Sequence, residues 1–170
     1  MDSWYALQVA TGREGDVVAM LHRCGIQAIA PAVGRLERKG GEWQMVSRRA
    51  IPGYAFVRCQ MNAPLYYHLM GKPYVLRLLG QVGERYTAIP DDQVGWIDAL
   101  HRATGGRTET SRGVRREDDT VEIVSGPLKE LEEKIVKVDA RGRRATVELT
   151  LYDDAYQIDM ALDMTDKSDK

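Results

Sequence analysis

The sequence predicts an α+β fold: an N-terminal antiparallel sheet flanked by helices, a flexible linker, and a small C-terminal β-barrel. Three observations predict it. Over residues 1–103, strand and helix patterns alternate in the order β-α-β-β-β-α-β-α. Residues 104–116 are mostly glycine, threonine and charged residues, with one aliphatic side chain, and this composition predicts a linker. Residues 117–166 hold four short β-rich runs separated by tight turns, a pattern typical of a small barrel.

The first two elements are a strand and a helix. "SWYALQV" has the composition of a buried strand, and Thr11 followed by Glu14 has the spacing of a helix capping box. The helix that follows has an apolar stripe at Val17, Met20, Leu21 and Cys24. We therefore expect Cys24 and the more distant Cys59 to be reduced core residues.

A β-hairpin and an aromatic strand come next. "GRLERK" and "EWQMVS" flank Gly40 and Gly41, which predicts a hairpin whose basic tip projects from the body. In "AIPGYAFVRC", Tyr54 and Phe56 share one face of an extended strand. We expect Phe56 to be core and Tyr54, beside the Pro-Gly turn, to be partly exposed.

The remaining elements follow from start signals and periodicity. Asn62 and Pro64 begin a second helix, "YVLRLLG" is a strand, and "IPDDQVGWIDALHRA" is a helix with acidic residues at its positive end. The barrel strands are "TVEIV", "EKIVKV", "RATVELTLY" and "YQIDMAL".

Composition excludes several classes of protein. Of the 170 residues 44% are hydrophobic, yet no apolar run approaches the roughly 20 residues of a membrane span. The start lacks the pattern of a secretory signal, so we expect a cytoplasmic protein with no membrane partner. Neither nucleophile motifs nor metal-ligand spacings occur around the three histidines. The sequence therefore predicts no catalytic residue, metal or cofactor, and so no enzyme.

Binding is better supported than catalysis. The formal charge of −1 hides basic blocks in the hairpin and in the barrel. A basic hairpin beside an aromatic strand indicates contact with nucleic acid and with a protein partner. Arg141, Arg143 and Arg144 on one barrel turn fit phosphate or base contacts and fit an ordinary exposed turn equally well.

Several motifs together resemble one known family. "WYALQVATGRE", "IPGYAFVRC", "GKPYVLRLLG" and "AIPDDQV" resemble the N-terminal domain of NusG family transcription elongation factors. "DDTVEIVSGPLKELEEKIVKVDARGRRATVEL" resembles their C-terminal KOW domain. The resemblance implies a domain at residues 1–103, a linker at 104–116 and a KOW barrel of the SH3-like type at 117–166.

The resemblance also implies partners for the first domain. It implies an apolar patch that binds the clamp helices of RNA polymerase, and a basic surface that faces non-template DNA at the upstream edge of the transcription bubble. The polymerase patch would comprise Tyr5, Ile51, Pro52, Tyr54 and Leu78. The DNA-facing residues would be Arg38, Lys39, Arg48 and Arg49.

Within the family, "VDARGRRATVEL" most resembles the LoaP-type antiterminators, a specialised subfamily. That resemblance implies a KOW domain that binds nascent RNA, at a hairpin in an operon leader. The RNA-binding residues would be Lys129, Lys134, Lys137, Arg141, Arg143 and Arg144. Asp118, Glu130 and Glu133 stand where KOW domains usually have glycine, which makes the loop near Gly126 more acidic.

Two other functions fit the same sequence. A general elongation factor would use its KOW domain to bind a ribosomal protein or a termination factor, through exposed apolar residues such as Leu128 and Ile158. A ribosome-associated KOW protein would bind RNA without binding polymerase. For all three functions we expect a monomer.

Overall fold

The computed structural model describes residues 1–104 and 110–166 of the chain. The α+β fold class is confirmed. Two compact units are present, and each combines two stretches of sequence. The first unit comprises Met1–Ala30 and Ile51–Val94, and the second comprises Pro31–Ala50 and the described residues from Gly95 onward.

The first unit is an antiparallel four-stranded sheet with helices. Its sheet has the order β2-β5-β1-β6, with β1 Ser3–Val9, β2 Gln27–Ile29, β5 Tyr54–Cys59 and β6 Val75–Leu78. Helices α1 Glu14–Arg23 and α2 Ala63–Met70 and the short hairpin of β7 Gln81–Val82 and β8 Arg85–Tyr86 complete the unit.

One apolar cluster forms the core of this unit. Alternate residues of β1, among them Tyr5 and Leu7, point to one face and pack against Leu21 of α1 and Leu69 of α2. The start of α2 follows the sequence prediction, since the Asn62 side chain accepts a hydrogen bond from the Leu65 amide at 2.9 Å.

The second unit combines a hairpin, part of a helix and a half-barrel. The hairpin is β3 Ala32–Lys39 and β4 Glu42–Arg49, and helix α3 is Asp91–Thr104. The half-barrel has the order β10-β9-β13-β12-β11 and includes a 3₁₀ helix, Pro127–Lys134. Its strands are β9 Ser111–Arg115, β10 Val121–Ser125, β11 Ile135–Asp139, β12 Arg144–Leu151 and β13 Asp154–Asp166.

The predicted linker at 104–116 is wrong over its second half. Residues 105–109 lie outside the described residues, but Ser111–Arg115 is β9, paired with β10 and in parallel with the end of β13. Ser111 is buried, and its hydroxyl accepts a hydrogen bond from the Leu128 amide at 2.9 Å. The polar side chains of β9 give no strand pattern in the sequence. The strand is stabilised by backbone pairing on both of its edges.

The hairpin packs on the half-barrel along β3, whereas the sequence predicted that its tip would project from the body. Val33 in β3 is 1% exposed, and the Arg35 guanidinium lies 3.8 Å from the Asp159 carboxylate of β13. In α3, the Trp96 indole N–H donates to the Thr150 carbonyl at 2.9 Å. The compact units therefore divide the chain differently from the expected domains at 1–103 and 117–166.

Candidate functional site

A buried carboxylate fixes the Pro52–Gly53 turn that precedes β5. Glu14 is 3% exposed, and its two oxygens accept hydrogen bonds from the Gly12 amide at 2.7 Å and the Gly53 amide at 2.8 Å. The predicted capping box is wrong, because α1 begins at Glu14 itself and has no side-chain cap. Glu14 thus connects the start of α1 to the turn by hydrogen bonds. Pro52 is exposed on the surface of this turn.

The five residues expected to bind polymerase do not form one surface. Pairing of Leu7 with Leu78 puts Leu78 on the same sheet face as Tyr5, and these two side chains are 2% and 8% exposed in the core. Burial raises the pKa of Tyr5 above its ordinary value. Tyr54 pairs with Gln8 and so points to the opposite face, where it is half-buried.

The loop residues of this set differ in the same way. Ile51 is buried at 5% exposure, whereas Pro52 is exposed. Since a protein partner contacts only accessible atoms, the expected patch reduces to Pro52 and Tyr54. Tyr5, Ile51 and Leu78 support this turn and strand from within.

The hairpin carries the four cations expected to face DNA, and all four are exposed. Strand alternation puts Arg38 and Arg49 on one face and Lys39 and Arg48 on the other. Arg48 donates two hydrogen bonds, at 3.0 and 2.9 Å, to the carboxylate of Glu37. This arginine lowers the pKa of Glu37, and the pairing leaves Arg48 less available than its neighbours for phosphate.

The turn between β11 and β12 is held in one conformation. The Asp139 carboxylate accepts a hydrogen bond from the Gly142 amide at 2.9 Å. Arg143 has a φ of 55°, in the left-handed region that few residues other than glycine occupy. The Leu162 amide of β13 donates to the Arg143 carbonyl at 3.0 Å, so this backbone is anchored to the half-barrel.

The cations expected to bind RNA are placed around this turn and the 3₁₀ helix. Arg143 is half-buried and the others are exposed, namely Lys129, Lys134, Lys137, Arg141 and Arg144. Acidic side chains lie near several of them: Arg143 is 3.7 Å from Asp163, and Arg144 is 3.7 Å from Asp139. A phosphate would therefore compete with carboxylates for these guanidinium groups.

Sequence reasoning missed Trp43 on the hairpin. Trp43 is 36% exposed, with the Arg38 guanidinium 5.9 Å and the Arg143 guanidinium 5.4 Å from its ring centroid. A two-residue Gly40-Gly41 turn fixes the register that pairs Arg38 with Trp43, so the first neighbour could have been found from sequence. No sequence pattern connects Trp43 to Arg143.

Within residues 1–104 and 110–166, no group of three His, Cys, Asp or Glu side chains is arranged to hold a metal ion. The described helices include none that combines the length and the apolar character needed to cross a bilayer. A ring nitrogen of His22 lies 2.8 Å from the Ala28 carbonyl, a contact within the fold.

Comparison with known proteins assigns the chain to a family. The family model described as "Transcription termination factor nusG" matches residues 2–97, more than half of the chain. The chain belongs to the NusG family. It is a NusG-family transcription factor, from a family of non-enzymatic proteins.

Relatives of this NusG-family protein align with it from end to end. "Transcription termination/antitermination protein NusG" of Escherichia coli (strain K12) is 21% identical over 174 residues, covering 97% of this chain and 96% of the relative. The protein of the same description from Vibrio parahaemolyticus is 22% identical over 176 residues, covering 98% and 96%. A solved structure described as "Domain interaction in Thermotoga maritima NusG" has a TM-score of 0.53 at 20% identity, covering 95% of this chain and 94% of that one, which supports the fold.

Proposed function

We propose that this protein is a processive antitermination factor of the LoaP type. Residues 1–103 bind the clamp helices of RNA polymerase, and the KOW half-barrel, which begins at β9, binds nascent RNA at a leader hairpin. The protein acts in the cytoplasm, beside the polymerase that it modifies. The observation that carries the proposal is the anchored turn that presents Arg141, Arg143 and Arg144 together.

Anchoring matters because the backbone of a rigid turn does not have to be ordered when its guanidinium groups bind a partner. Arginine binds phosphate through two parallel N–H groups, and it also stacks on bases that are splayed out of a hairpin loop. Lys137 and Arg144 lie on adjacent strands, with Lys137 pairing with Thr146 and Asp139 with Arg144. These cations therefore lie on one end of the half-barrel with the turn.

The test is salt-dependent RNA binding by the double variant R143A/R144A. The affinity for RNA falls as salt rises, and each lost phosphate contact makes the slope of log affinity against log salt less steep by about 0.7 to 0.9. We expect weaker binding to leader RNA and a slope reduced by about 1 to 2, measured by fluorescence anisotropy. The matched control is R115A/R116A, which removes the last arginine of β9 and the one after it, paired with Asp119 and Glu122. Equal slopes for both variants would remove the turn from RNA recognition.

For the polymerase contact, the accessible residues are Pro52 and Tyr54. We expect Tyr54→Ala to weaken capture of purified core polymerase about tenfold while the protein stays folded, since an interface tyrosine contributes about 1 to 2 kcal/mol. Tyr67→Ala is the control, because Tyr67 is 69% exposed on α2. Unfolding of the Tyr54 variant, or equal capture by both variants, would contradict the docking assignment. On the hairpin, Arg38, Lys39 and Arg49 then face non-template DNA.

One observation favours a second function, that of a general elongation factor whose KOW domain binds a ribosomal protein. The apolar residues expected for this contact, Leu128 and Ile158, are buried at 0% and 5% exposure, so that expectation is wrong. Val124 in β10 and Val136 in β11 are instead 49% and 54% exposed on the two outer strands of the half-barrel. Capture of a ribosomal protein that V124K/V136K abolishes and R143A/R144A leaves unchanged would favour this function.

A further inference from the structure

Trp43 is placed differently from the other two tryptophans. Trp4 and Trp96 are 7% and 5% exposed, whereas Trp43 is 36% exposed on β4 of the hairpin. An indole on a polar hairpin exposes apolar surface to water, which is unfavourable unless a partner covers it. Met45, two residues along the same strand face, is also 36% exposed.

Two guanidinium groups from different elements lie over the ring of this indole. Arg38 is directly opposite Trp43 in the hairpin, and its guanidinium carbon is 5.9 Å from the ring centroid. Arg143 comes from the anchored turn of the half-barrel, at 5.4 Å. Both distances are within the range of cation–π attraction, so the three side chains form one cluster of a π face and two positive charges.

We propose that this cluster is a binding site for an unpaired nucleotide of the nascent RNA. The base takes the place of a guanidinium group over the indole, and Arg38 and Arg143 turn outward to bind the phosphates on either side of it. An indole with two cations at its ring complements a base and its phosphates. The inference rests on the proposed function, because Arg143 belongs to both sites. It adds two hairpin residues, Trp43 and Arg38, to RNA recognition, and it assigns Arg38 to RNA instead of non-template DNA.

Acidic neighbours set the strength of the site. Asp163 is 3.7 Å from Arg143, and Asp159 is 3.8 Å from Arg35 on the other face of the hairpin. When RNA binds, a phosphate replaces the Asp163 carboxylate as the partner of Arg143. Removing that carboxylate therefore strengthens binding, an effect that a merely structural cluster would not produce.

The experiment uses the full chain and an oligoadenylate RNA of about eight nucleotides, with the DNA of the same sequence and a blunt RNA duplex in parallel. Binding quenches Trp43 emission, and the buried Trp4 and Trp96 supply the unquenched remainder. Trp43→Ala weakens binding about five- to hundredfold, the range for loss of one stacked base, and Trp43→Phe retains most of it. Met45→Ala is the matched control and binds as the unmodified protein does.

Two further arms complete the test. Asp163→Asn strengthens binding up to about fivefold. Asp153→Asn, the same charge change in the turn before β13, has a smaller effect because that turn is at the opposite end of the strand from Asp163. Preference for DNA over RNA would overturn the assignment to nascent RNA. Unquenched Trp43 in an RNA complex, or equal affinity of the Trp43→Ala and Met45→Ala variants, would overturn the stacking site. If R143A/R144A still loses RNA affinity in that case, the proposed function survives. Absence of binding by the unmodified protein would overturn the stacking site directly.

Discussion

Glu14 is the residue that connects the first helix to the turn before Tyr54. Both of its oxygens accept backbone hydrogen bonds, and the side chain is nearly inaccessible to water. A buried carboxylate is tolerated when backbone amides satisfy it, and here its position at the first turn of α1 adds a favourable interaction with the helix dipole. The geometry of the turn proposed to bind polymerase therefore depends on one side chain.

Replacing Glu14 tests this dependence. Glu14→Ala leaves the Gly12 and Gly53 amides without their acceptor, so we expect the free energy of unfolding to fall by about 2 to 3 kcal/mol. Glu14→Gln should lose less, because its single carbonyl oxygen can replace one of the two acceptors. Urea unfolding measures both, with the exposed Glu84→Ala as control. Equal stability of Glu14→Ala and the control would show that the carboxylate does not hold the turn.

Sequence patterns predicted which apolar residues share one face of an element, but not always which of these residues are buried. Cys24 was expected in the core, yet it is exposed because α1 ends at Arg23 and the helical stripe ends with it. Cys59 is partly buried, and burial raises the pKa of its thiol to about 11, so it stays protonated at neutral pH. The hydrogen bond by which Glu14 holds the turn was not predicted, because its partner Gly53 is 39 positions away.

At the scale of elements, the half-barrel depends on a close approach between β9 and the start of the 3₁₀ helix. Gly126 has a φ of 96°, and a Cβ at this position would lie 2.6 Å from the Ser111 hydroxyl oxygen. Only glycine fits both the backbone angle and the contact. The hydrogen bond from Leu128 to Ser111 forms just beyond it.

Two alanine substitutions at glycine should therefore have opposite effects. Gly126→Ala should lower the free energy of unfolding by about 2 to 4 kcal/mol, through backbone strain and the clash with Ser111. Gly95→Ala in α3 should raise it by about 0.5 to 1 kcal/mol, because nothing lies within 4 Å of its Cβ and alanine favours helix. Thermal unfolding of the two variants compares them. A stable Gly126→Ala variant would contradict the packing of β9 on the 3₁₀ helix.

Elements with strong local signals were predictable, and those made by long-range pairing were not. The buried composition of β1, the β-rich run of β12 and the Asn62 cap of α2 are local signals, and each element is observed. β9 carries no local signal, because β10 and the far end of β13 supply its hydrogen bonds. The register of the β3–β4 hairpin was predictable from the Gly40-Gly41 turn, but the packing of β3 on the half-barrel was not.

At the scale of the whole molecule, the candidate sites bring together residues that are distant in sequence. The family and the fold class followed from motif order along the chain, and both are confirmed. The expected polymerase patch was only partly accessible, since periodicity predicts which residues share a face and not which face is covered. Trp43 and Arg143 are 100 positions apart, and only the folded second unit brings them together.

We propose that cations of the β11–β12 turn act on transcription through nascent RNA. The most direct measurement is terminator readthrough by purified polymerase on a pool of leader templates from the same genome, with the unmodified protein, R143A/R144A or R115A/R116A. We predict that readthrough rises on the templates whose transcripts bind the protein, that R143A/R144A abolishes this rise, and that R115A/R116A preserves it. Undiminished readthrough with R143A/R144A would contradict the claim.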